Sequence, residues 1–67
     1  MDDPTTRLIY DYICSYIEDN GYAPSIREIA TACFVGHSNV DRYLKRLEDE
    51  GLIKRGRGVP RGISLVD

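Results

Sequence analysis

The chain has 67 residues, of which 42% are hydrophobic and 30% charged, a balance that suits one small globular core and excludes a disordered segment. No apolar run approaches the ~18 residues of a membrane span, and Met1-Asp2-Asp3-Pro4 does not open a signal peptide, so the expectation is one cytoplasmic domain over residues 1–67. The net charge of −2 is unevenly divided: residues 1–35 hold two basic and six acidic side chains, residues 36–67 seven basic and five acidic.

The first predicted element is a helix over about 4–20. Asp3 offers an N-cap acceptor, and Pro4 suits the first helical position, where its missing N–H loses no partner. Ile9, Ile13 and Ile17 recur at i, i+4 and i+8, with Leu8, Tyr10, Tyr12 and Tyr16 widening the apolar stripe. Tyrosines at that spacing read as half-buried packing residues. Asn20-Gly21 ends the helix, because glycine accepts the left-handed conformation of a C-cap.

A second helix is predicted over about 26–33. Ser25 and Glu28 stand at S-x-x-E spacing, the capping box in which each side chain satisfies an amide at the other's position. Glu28 is fully accounted for by that box. Ile29 and Ala30 face the core. The third helix, over about 38–50, is capped among Gly36, His37 and Ser38, and buries Val40, Leu44 and Leu47 with Tyr43 beside them.

Leu52-Ile53-Lys54-Arg55 and Gly62-Ile63-Ser64-Leu65-Val66 then read as two short strands, so residues 52–66 form a hairpin. The stretch from the end of the first strand through the loop is basic: Lys54, Arg55, Arg57 and Arg61 occur over eight residues without an acid. Cys14 and Cys33 read as reduced thiols lining the core. With one histidine in the chain, no set of usual zinc donors is complete; no cofactor or small-molecule substrate is expected.

Three helices with a tight turn before the third, closed by a hairpin, make an α+β, mainly α, winged helix-turn-helix with a C-terminal two-stranded wing. In that layout helix three enters the major groove of double-stranded DNA. Its polar side suits base recognition, since Asn39 matches adenine, Arg42 guanine and Asp41 cytosine, while Ser38 serves either role. Lys45 and Arg46 continue this face, and Ser25 and Arg27 open helix two beside it. His37 reads equally as a capping neighbour or a phosphate contact. Arg55, Arg57 and Arg61 reach for phosphates or the minor groove from the wing. The acidic triplet Glu48-Asp49-Glu50 would repel phosphate, so that only the first half of helix three enters the groove.

These residues also carry a family resemblance. Gly21-Tyr22-Ala23-Pro24-Ser25-Ile26-Arg27-Glu28-Ile29-Ala30, Val40 to Glu48, Gly51-Leu52-Ile53-Lys54-Arg55 and Pro60-Arg61-Gly62-Ile63-Ser64-Leu65 occur in the order and spacing of the DNA-binding domain of LexA-type repressors. The chain resembles that domain from Asp3 to Leu65. The resemblance implies repression of transcription by a homodimer on a palindromic operator, with Gly36, Ser38, Asn39, Asp41 and Arg42 at base-reading positions and the wing contributing around Arg57 and Arg61. Cys33 stands where the family has glycine in the turn, and Gly36-His37 replaces a serine-rich entry to helix three. Repressors of this kind add a self-cleaving dimerisation domain. No Ala-Gly cleavage pair occurs in these residues, which read as the DNA-binding module alone, either a fragment or a free-standing regulator.

Two other function classes compete. A winged helix used for protein–protein contact draws on the net negative charge and the tyrosine-rich first helix. An enzyme reading draws on the adjacent His37-Ser38 pair, which would need spatial placement and a third group to orient it.

Overall fold

The computed structural model describes residues 3–56 and 61–66. Three helices, α1 (Pro4–Asn20), α2 (Ile26–Cys33) and α3 (His37–Asp49), precede two strands, β1 (Ile53–Arg55) and β2 (Ile63–Leu65). The strands pair antiparallel with Ile53 opposite Leu65, Lys54 opposite Ser64 and Arg55 opposite Ile63. This is a winged helix-turn-helix, with the hairpin as its wing. The wing contact expected at Arg57 lies outside the described residues.

Local signals set the helix ends. Asp3 accepts the Thr5 N–H at 2.9 Å, and Gly21, at φ 79°, donates to the Ile17 carbonyl. At α2 both halves of the capping box form: Glu28 N–H donates to Ser25 Oγ at 3.1 Å, and Ser25 N–H donates to Glu28 Oε1 at 2.8 Å. Helix α3 starts at His37, one residue before the expected position, with Gly36 as N-cap. Its end is a Schellman turn: Gly51, at φ 77°, donates to the Glu48 carbonyl, and Leu52 donates to that of Leu47.

The turn between α2 and α3 departs from expectation. Cys33 is the buried last residue of α2, and the left-handed position is Phe34, at φ 57° and ψ 43°. The need for glycine therefore falls one residue later than the resemblance placed it. Phe34 and Val35 N–H both donate to the Ala30 carbonyl, so the turn closes in spite of the side chain.

One core joins every element. Ile9 and Ile13 from α1, Ile29 from α2, and Val40, Leu44 and Leu47 from α3 are fully buried. Each contributes ~1.5–3 kcal/mol relative to an exposed side chain. Ile53 and Ile63 from the strands complete this core, which holds the wing beside the helices. Lys54 and Ser64, opposite one another, face solvent.

Candidate nucleic-acid interface

Because Val40, Leu44 and Leu47 turn inward, the remaining surface of α3 is polar. His37, Ser38, Asn39, Asp41, Arg42, Lys45 and Arg46 are all exposed. No side chain caps this helix at Gly36. Asn39 N–H donates to the Gly36 carbonyl at 2.8 Å, and the amides of His37 and Ser38 ahead of it point towards water or an anion at the positive end of the helix dipole. A Cβ at Gly36 would lie 3.3 Å from Asn39 Nδ2, so any side chain there crowds the residue best suited to adenine.

The cations of the expected site divide into two groups. Arg27 and Lys45 are exposed, and so is Arg42, whose guanidinium lies 5.8 Å from the Tyr43 ring centroid. Arg46 is drawn towards α1, with Nη1 3.6 Å from Asp3 Oδ2. Both partners there are substantially exposed, so the pair is a weak tie. Arg55 Nη2 donates to Asp41 Oδ1 at 3.0 Å, joining a proposed base reader on α3 to a wing residue. Ser25 Oγ serves the α2 cap.

Arg61 is the most heavily engaged of the expected contacts. Its Nη1 donates to Glu28 Oε1 at 2.6 Å, to the Ala23 carbonyl at 3.1 Å and to Tyr16 Oη at 3.2 Å. Tyr16 Oη in turn donates to Glu28 Oε2 at 3.1 Å, and the guanidinium lies 5.2 Å from the centre of the Tyr22 ring. The Ser25 N–H, the Arg61 guanidinium and the Tyr16 hydroxyl together lower the Glu28 carboxyl from an ordinary 4.5 to about 2. Desolvation raises the Tyr16 hydroxyl, which Glu28 then reinforces against the opposing pull of Arg61.

Sequence reading placed Glu28 in its cap and missed this cluster. Tyr16 and Arg61 lie 12 and 33 residues from Glu28, and no short-range spacing encodes such a meeting. The cluster borders a cleft between the start of α2, at Pro24, Ser25 and Ile26, and the wing residues Arg55, Arg61 and Gly62. The tyrosines make no open aromatic face: Tyr10, Tyr12 and Tyr16 are half-buried, and exposed Tyr22 stacks on Arg61.

Comparison with known proteins agrees with this architecture. The model of the LexA DNA binding domain matches residues 4–62. The LexA repressor of Oceanobacillus iheyensis is 42% identical over 62 residues, which cover 91% of this chain and 30% of the relative. That of Clostridium botulinum is 47% identical over 60 residues, covering 88% and 30%. That of Staphylococcus haemolyticus is 46% identical over 59 residues, covering 87% and 28%. The chain therefore spans under a third of these relatives' length, and within that span it belongs to the LexA DNA binding domain family.

Proposed function

We propose that residues 1–67 act as a single winged-helix module that binds double-stranded DNA sequence-specifically and represses transcription. The observation that carries this reading is the outer face of α3. It presents Ser38, Asn39, Arg42 and Lys45 to solvent beside a helix start that no side chain caps. That combination suits an element whose early residues meet base edges while its amides meet phosphate. Family membership and the repressor relatives support the same conclusion.

In this reading Asn39 pairs with adenine and Arg42 with guanine, each through two hydrogen bonds. Ser38 and Gly36 allow close approach, and His37, Lys45, Arg46 and Arg27 neutralise phosphates at the edges. Asp41 accepts from cytosine or acts through Arg55. The wing lies along the backbone or the adjacent minor groove, with Arg55 and Arg57 as its cations. Two copies bind a palindromic operator, each reading one half-site. No catalytic step is assigned to the module.

The test is fluorescence anisotropy of a labelled duplex of mixed sequence, titrated at about 50 and 200 mM salt. Binding that weakens steeply with salt supports the reading. A folded protein that leaves the duplex free at the lower salt contradicts it.

A further inference from the structure

Arg61 differs from the other cations of the surface in how many partners its head group has. One nitrogen reaches a carboxylate, a backbone carbonyl and a phenol, while the Tyr22 ring covers the guanidinium. These partners come from α1, from the loop after it and from the first turn of α2. The backbone of Arg61 has φ 56°, a left-handed conformation that an L-residue adopts only under constraint. In this conformation the side chain turns back from the hairpin towards α2.

We infer that Arg61 is a positioning residue. It latches the wing to the helix-turn-helix through Glu28, and it promotes DNA binding by fixing the wing, not by touching phosphate. The inference rests on the DNA-binding reading for its consequence but not for the latch itself. Two features argue for a device that sets geometry. The Glu28 carboxylate serves the α2 cap and the latch at once, so the wing is referenced to the helix that precedes the reading helix. Arg55, by contrast, makes a single tie, from β1, to an Asp41 that remains mostly exposed, whereas Arg61 ties the β2 side of the hairpin to α2.

The experiment compares the wild type with Arg61→Ala, Glu28→Gln and the double variant. Glutamine preserves the capping box, so Glu28→Gln removes the latch charge without removing the cap. Binding to one fixed duplex, enriched by the wild type from a randomised pool, is measured across a salt series. Both single variants are expected to bind more weakly, the double variant no more weakly than Arg61→Ala, and all four with the same salt slope. If Arg61 contacts phosphate, its loss lowers the slope by ~1, while Glu28→Gln leaves affinity unchanged or improves it; that outcome overturns the inference. Amide exchange of Gly56 and Val66, which donate across the hairpin to the Gly62 and Leu52 carbonyls, is followed in the absence of DNA. Faster exchange in both single variants supports the latch, and unchanged exchange overturns it even if no duplex is bound.

Discussion

Phe34 occupies the left-handed turn between α2 and α3 with 94% of its surface exposed. A side chain in that conformation costs ~1–2 kcal/mol, because Cβ crowds the following carbonyl. Phe34→Gly removes this strain and forfeits almost no burial. Glycine has a more flexible unfolded chain, which returns ~0.5–1 kcal/mol of the gain. The net expectation is a stabilisation of about 0.5–1 kcal/mol, equivalent to a rise of ~2–8 °C in Tm for a domain of this length. Thermal unfolding followed by circular dichroism at 222 nm measures it. Phe34→Ala is the control: it keeps Cβ, hence the strain, and is expected to leave Tm nearly unchanged. A fall in Tm on Phe34→Gly, or an equal rise in both variants, would refute the strain argument.

Further outcomes follow from the caps, the core and the latch. Ser25→Ala removes half of the α2 capping box and is expected to cost ~1 kcal/mol in urea unfolding. Leu44→Ala empties a fully buried site and costs ~2–5 kcal/mol, enough to leave much of so small a domain unfolded at 37 °C. The Glu28 carboxyl is held at about 2 in the folded chain against an ordinary 4.5, so its contribution is present above the higher value and disappears as pH falls through this window. Tm of the wild type should therefore drop faster than that of Glu28→Gln between those pH values. Burial raises the Cys33 thiol, so a neutral disulfide reagent is expected to label it only in denaturant.

Most of the fold was legible because its determinants are local. Asp3-Pro4, the Ser25/Glu28 box, and the glycines at 21 and 51 act within one helical turn, and the 3.6-residue apolar spacing chose the buried face of each helix. The short hairpin was legible because turn-forming residues separate two apolar runs that both reach the core. The turn at Phe34 was not, since nothing in the composition marks a phenylalanine for a left-handed backbone. The site was legible only as a set of polar residues. Asp41 with Arg55, Asp3 with Arg46, and Tyr16 with Glu28 and Arg61 are encounters across the fold. They separate cations committed to the protein from those, such as Arg42 and Lys45, that face outward.

Base reading by α3 is tested most directly by selecting duplexes from a randomised pool with the wild type and with Arg42→Ala. The wild type is expected to enrich a defined motif. Arg42→Ala is expected to lose preference at one guanine while keeping the rest, at a cost of ~1–3 kcal/mol on the wild-type site. An unchanged motif with Arg42→Ala, or no enrichment by the folded wild type, would contradict base reading by this helix.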